Sequence, residues 1–271
     1  MYNMIELKKD MFECVLKLFP NNDVYVEPKS IIHKNNPGWV FVDSVPDPQI
    51  ALIWVQGNEG FYLLGNKQIS IFSNDLNNFI DSIIKTKLLS IGKKYFEISV
   101  VPPITDNDLE DLFKNRHLES WTQSVYQYKS KNNMEIISND ILYNVKDILK
   151  SNSTIENIDF IKNKITNYWD SIETFIKKAD GFCIIMDNKI VSMAITGWIA
   201  GNVHTIGIET DKNYRNKGYA KICSKALLAK HIEKKYIPHW ECEKTNIGSV
   251  KTAEYLGFTK LFDYILYGFS I

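Results

Sequence analysis

Read by apolar periodicity, the chain passes twice through one order of elements: three strands, a helix, a strand, a helix and a last strand. In the first pass, strand-like runs at 39–42, 50–55 and 61–64 are separated by Asp47-Pro48 and Gly57-Asn58. Ser73 or Asn74 then offers a cap for a helix to about residue 89, with Leu76, Phe79, Ile80, Ile83 and Ile84 inward. A buried strand at 95–101, a short helix at 106–115 and a closing strand at 121–128 complete it. The second pass has a hairpin (182–186 and 190–196) around Asp187-Asn188, a strand at 203–210 and a helix at 219–234. A strand at 238–242, a helix at 248–255 and strands near residue 260 and at 264–269 follow.

Helical patterns precede each pass. Ile5, Met11, Phe12, Val15, Leu16 and Phe19 form one broad face, ended by Pro20. Before the second pass the spacing predicts a strand at 135–137, a helix at 141–149 and, after caps in 151–154, a long helix carrying Ile158, Ile161, Ile165, Tyr168, Trp169, Ile172 and Ile176. The polar stretch 129–133 reads as a linker, dividing the chain into 1–129 and 130–271. Helices alternating with strands imply an α/β fold on a mixed sheet, built by architectural duplication without a residue-level repeat.

Composition excludes several partners. Basic and acidic residues balance at 32 each, so no global field draws nucleic acid or an anionic membrane. No stretch of 18 apolar residues suggests a membrane span, and the N-terminal pattern is amphipathic rather than a signal peptide. Cys14, Cys183, Cys223 and Cys242 lie far apart with no histidine at metal-ligand spacing, which fits reduced thiols in a cytoplasmic protein and no metal site.

The loop Tyr214-Arg215-Asn216-Lys217-Gly218-Tyr219-Ala220 joins a strand to a helix and holds one of only two arginines, the other being Arg116. Successive amides at a helix start form an anion site, and Gly218 lets a phosphate approach the backbone. The frame is neither a P-loop nor a dinucleotide fingerprint. Arg215-x-x-Gly218-x-Ala220 matches the Q/R-x-x-G-x-G/A signature of the GNAT superfamily of acyl-CoA-dependent N-acetyltransferases. Thr210-Asp-Lys-Asn-Tyr-Arg215 resembles the family's V-x-P-x-Y-R approach, with Thr for Val and Lys for Pro. Asn246-x-x-Ser249 followed by Leu256-Gly257-Phe258 resembles its N-x-x-A/S…LGF segment. The resemblance covers roughly 130–271, and its wording is similar to the bacterial subgroup that includes the zwittermicin-resistance acetyltransferase.

The resemblance implies a GNAT-type acyltransferase domain preceded by a GNAT-like degenerate domain, 1–129, that lacks the CoA loop and covers or shapes the acceptor cleft. The amides of Asn216, Lys217, Gly218, Tyr219 and Ala220, with Arg215, would cradle the diphosphate of acetyl-CoA. Main-chain groups of Ile208 and Thr210 would pair with pantetheine, and Asn246 and Ser249 would contact the pantetheine arm or the adenosine side. It also implies Trp169, Trp198 and Trp240 at the acceptor side, where core packing is the plainer alternative. The acceptor implied is a small-molecule amine, and a homodimer stays open.

Attack on a thioester needs a neutral amine, and an alkyl ammonium is neutral about once in 2,500 molecules at pH 7. Three residues compete as base. Glu241 lies five before Asn246, as in ribosomal-protein-type N-acetyltransferases. His204 lies eleven before Arg215, where histone-type members carry a glutamate, and shares a strand face with Ile206 and Ile208. Glu209 is nearest the pantetheine but alternates to the other face. The tyrosine that often protonates the thiolate falls on Ala253, so a water, Tyr264 or Tyr267 would act instead, Tyr255 being badly placed on its helix. An N–H near Ile208 would hold the oxyanion, with direct transfer and no acyl-cysteine. The alternative reading is a CoA-binding sensor or interaction module without catalysis.

Overall fold

The computed structural model describes residues 4–65, 73–129, 140–151 and 154–271. The loop at 66–70, the linker from 130, the strand at 135–137, the caps at 152–153 and the side chains of Ser73 and Asn74 lie outside the described residues. The chain forms two compact α/β units: Met1–Gln123 with Tyr264–Ile271, and Ser124–Asp263.

In the first unit, β1 (Ile5–Glu6), β2 (Gly38–Val42), β3 (Ile50–Val55) and β4 (Gly60–Gly65) are antiparallel neighbours. β5 (Tyr95–Val100) runs parallel to β4, from Phe61↔Ile98 to Leu63↔Val100. The end of β12 (Phe258–Ser270) completes this sheet by pairing antiparallel with β5. The sequence reading keeps 264–271 with the second domain. Phe269 explains the difference, since its ring packs 5.0 Å from Phe96 and 5.4 Å from Phe113 in the first unit's core.

The predicted N-terminal amphipathic helix is a 3-10 helix, Lys9–Leu18. Three residues per turn put Phe12 and Val15 inward, while Met11 and Leu16, expected on the same face, are 38% and 37% exposed. Ile5 belongs to β1. A short helix unmarked in the sequence reading, α1 (Val26–Ile32), tolerates Pro28 because its first turn needs no N–H from that position. α2 (Ser73–Phe79) and α3 (Lys85–Ser90) are joined by a wide π turn, Ile80–Ile84, and with α4 (Asp106–Leu112) cover the aromatic face of the sheet.

The second unit has strand order β6-β11-β10-β9-β8-β7, with β6 (Glu119–Tyr128) shared with the first unit's range. The predicted helix at 141–149 is instead β7 (Leu142–Asn144) followed by α5 (Val145–Lys150), because the Asn144 side chain accepts from the Lys146 N–H and starts the helix late. The long predicted helix is two: α6 (Ile158–Tyr168) and α7 (Ile172–Lys178). Trp169 turns extended between them, its indole N–H bonded to the Thr196 carbonyl at 3.1 Å, and Ser171 caps the Thr174 N–H. Ser171→Ala should lower stability by about 1 kcal/mol, read from the urea midpoint.

β8 (Gly181–Met186) and β9 (Lys189–Ala200) form the predicted hairpin, with Asp187 and Asn188 both at positive φ, as a primed two-residue turn requires. β10 (Val203–Thr210) follows, then α8 (Tyr219–Glu233), β11 (Ile237–Glu243) and α9 (Ile247–Tyr255). α8 and α9 close one face over Leu227, Trp240 and Phe258, while α6 and α7 close the other over Met193 and Ile195. Among the described residues, no helix is long and apolar enough to cross a membrane.

Candidate active site

β10 and β11 are parallel neighbours for only three residue pairs: Val203↔Ile237, His204↔Pro238 and Thr205↔His239. Beyond Thr205, β10 keeps its antiparallel partner β9 as far as Thr210↔Ser192 and, among the described residues, is no longer paired with β11. The Asp211 N–H reaches across to the Val191 carbonyl. Main-chain groups alternate along a strand, so those of Ile208 and Thr210 point away from β9, toward the opening seam. An irregularity in register between His204 and Ile206 marks where the strands part.

The strand leads straight into the predicted anion turn. Asp211 accepts from the Asn213 N–H, starting a short 3-10 turn, Lys212–Tyr214. Arg215 folds back, its Nε donating to the Thr210 carbonyl at 3.3 Å. Asn216 (φ 62°) and Gly218 (φ 82°) are both left-handed, and Gly218 is the N-cap of α8 with no side-chain cap. The first turn of α8 has no acidic residue, so no side chain of that turn offsets its dipole. Lys217 and Lys221 flank it, their ammonium groups 4.9 Å from the Tyr214 ring centroid and 4.2 Å from that of Tyr255. The result is an exposed cluster of amides and cations at the foot of the open strand edge.

Asn246 and Ser249, expected at the cofactor, are tied into the fold. Asn246 caps α9 by accepting the Ser249 N–H, and the buried Ser249 hydroxyl accepts the Trp240 indole N–H at 3.0 Å. Trp240 and Trp169 are 1% and 0% exposed with their N–H groups committed, so both are core side chains and neither lines an acceptor surface. Trp198 differs: its ring stands edge-on to Tyr168 at 4.6 Å, and its buried N–H has no partner among the described residues.

The register sorts the carboxylates. Ile206 and Ile208 pack with Trp240 and Cys242 under α8 and α9, so Gly207, Glu209 and Glu241 face the α6 side. There the Glu209 carboxylate pairs with the Lys164 ammonium at 3.3 Å. Burial alone would lower the Lys164 pKa, but Tyr168 and Glu209 outweigh it and hold the ammonium above its ordinary value. Tyr168 lies over two glycines, since a Cβ on Gly207 would sit 2.9 Å from its hydroxyl and one on Gly197 3.2 Å from its ring. Sequence reasoning passed over Lys164 and Tyr168. The legible signals were their i, i+4 spacing on one helix face and two glycines inside strands.

His204 does share a face with Ile206, but that face is closed. Its ring stacks on Tyr236 at 3.7 Å, stands edge-on to His231, and is 4% exposed. Burial lowers its pKa to about 4 and that of His231, bonded to the Thr196 hydroxyl, to about 3. His204 is therefore a neutral core residue rather than a base at the seam. Below their unfolded pKa near ~6.5 the unfolded chain binds more protons than the folded one, so stability falls as pH drops toward these folded values. A urea midpoint measured at pH 5 should lie below that at pH 7, with about 1–2 kcal/mol of loss from each histidine.

Tyr264 and Tyr267, considered as proton donors, belong to the first unit, where their hydroxyls meet Tyr62 at 3.2 Å and Glu110 at 2.9 Å. Tyr255 is 67% exposed on α9.

A mixed sheet whose parallel pair splays beside an uncapped glycine turn defines an acyltransferase fold. The chain belongs to the GNAT acetyltransferase family, whose model matches residues 17–267, so the match takes in both units and not only the motif-bearing half. It is 23% identical over 265 residues to the uncharacterized N-acetyltransferase YdfB of Bacillus subtilis (strain 168), covering 97% of each chain. Among solved structures it resembles a GCN5-related N-acetyltransferase-like protein from Streptococcus suis 89/1591, with TM-score 0.63 and 18% identity over 95% of this chain and 98% of that one. It also resembles a tandem GNAT protein from the clavulanic acid biosynthesis pathway, with TM-score 0.57 and 9% identity over 99% and 98%. The protein is an acyltransferase of this family with two units of related architecture.

Proposed function

We propose that the second unit transfers an acetyl group from acetyl-CoA to the primary amine of a small molecule, by direct attack in a ternary complex. The observation that carries this reading is the uncapped start of α8 lying directly beyond the unpaired edge of β10. Amides of Asn216 to Ala220 would bind the diphosphate, with Arg215 and Lys217 adding charge. Main-chain groups of Ile208 and Thr210 would hold pantetheine as an added strand, and the Ile208 N–H would stabilise the oxyanion. Glu241 would take the amine proton, from the sheet face opposite Trp240 and Cys242.

The first unit would bind no CoA. Its β4 and β5 pair from Phe61 to Leu63, and the Val101 N–H extends the ladder to the Leu63 carbonyl, which leaves only Leu64 and Gly65 of β4 beyond the pairing. Calorimetric titration with acetyl-CoA should therefore give one site per chain. Two sites would refute the silent first unit, and none would refute the whole reading.

A second reading, a CoA-binding module without turnover, is favoured by one observation: the position seven after Asn246 is the buried Ala253, which has no proton to give. Thiol release from acetyl-CoA across a panel of small amines separates the two. Release above hydrolysis supports the enzyme, and tight binding without release supports the module.

A further inference from the structure

We propose that Tyr168 is the proton donor to the departing thiolate, held in place by Lys164 and by the glycine floor at Gly197 and Gly207. The inference rests on the acetyl-CoA reading of the seam and assigns the acid half of the reaction, which Ala253 leaves vacant.

Three features place the phenol. Tyr168 ends α6, and its hydroxyl sits 2.9 Å from where a Cβ would stand on Gly207. Gly207 lies two residues past the last β10–β11 pair and one before Ile208, so the hydroxyl reaches the mouth of the seam. The ring stands edge-on against Trp198, and a Cβ on Gly197 would crowd it at 3.2 Å, so the two glycines leave the room in which it lies.

Lys164 gives the phenol its polarity. Lys164 is one turn earlier on α6, its ammonium 3.3 Å from the Glu209 carboxylate and 5.6 Å from the centroid of the Tyr168 ring. An ammonium has donors and no acceptor, so toward the phenol Lys164 can act only as a donor. The same ammonium then lies beside the oxygen on which negative charge appears when that proton leaves. Glu209 keeps Lys164 charged and oriented, which makes it a positioning residue here rather than a second base.

The step balances without another reactant. The amine nitrogen attacks the thioester carbonyl carbon and the C–N bond forms. The C–S bond breaks, and its electron pair goes to sulfur, which takes the Tyr168 proton. The excess ammonium proton of the intermediate leaves to Glu241 and reaches the phenolate through solvent, restoring both groups.

The test uses hydroxylamine as acceptor. It is small enough to need no acceptor subsite and is largely neutral at pH 7, so its reaction isolates the acid half. Thiol release from acetyl-CoA, less the uncatalysed rate, is measured with the full chain. Tyr168→Phe keeps the ring packing and should lower kcat about a hundredfold while the Kd for acetyl-CoA stays within about twofold. Gly207→Ala, whose methyl meets the hydroxyl, should lower kcat similarly, and Lys164→Met about tenfold.

A Tyr168→Phe chain within about threefold of wild-type kcat overturns the assignment, as does a rise in Kd that accounts for the loss. Wild-type chain that binds acetyl-CoA but releases no thiol above background also overturns it, leaving the cofactor site standing. Failure of wild type to bind acetyl-CoA overturns the underlying reading instead.

Discussion

Gly218→Val should weaken acetyl-CoA binding about a hundredfold, at least tenfold, with little change in the fold of the unliganded chain. A Cβ at this position meets nothing within 4 Å, so the new side chain collides with no part of the protein. It would instead project into the space before α8 that a diphosphate needs. Gly218 also has φ of 82°, where a β-branched residue is disfavoured by about 1–2 kcal/mol. Relaxing that strain rotates the amides at the head of α8 away from their common focus. Each charge-assisted bond lost weakens binding by about 1.5–3 kcal/mol, so losing one or two gives the stated range. Calorimetry measures the change, and a thermal melt without ligand checks the fold. Wild-type affinity in a folded Gly218→Val chain would be fatal to the diphosphate site.

Glu241→Gln should lower kcat with an alkylamine acceptor by about 10²–10⁴, leaving acetyl-CoA affinity within about twofold. Glu241 stands on β11 two residues past the last β10–β11 pair, on the face opposite Trp240 and Cys242. Glutamine keeps the shape and loses the basic oxygen. Glu209→Gln is the control: its carboxylate is already paired with Lys164, so its removal should cost less and act through Lys164. The acid limb of the kcat/KM profile should move with Glu241→Gln and not with Glu209→Gln. If Glu209→Gln gives the larger loss, the base has been assigned to the wrong strand.

The turn at 214–220 was legible because its chemistry is local. A glycine that alone tolerates φ of 82°, a strand before it and a helix after it specify where the backbone must aim its amides, whatever packs behind them. The duplicated order of elements was legible for a similar reason, since strand and helix periods are written in consecutive side chains. Breaks within a helical pattern were not: the spacing continues through Trp169, and only the pull of its indole on the Thr196 carbonyl turns the chain there.

What the sequence by itself determined, then, is the family, the anion turn and the face on which each strand residue stands. The tertiary structure alone decided which of those residues meet solvent and which meet each other. His204, Ser249, Trp169 and Trp240 are suitable chemical types at suitable spacings, yet packing closes over all four. Tyr168 and Lys164 carry no motif, and they reach Gly207 and Glu209 because α6 folds back across β9 and β10. Spacing along a chain fixes direction within one element, whereas burial depends on residues from several elements meeting in space.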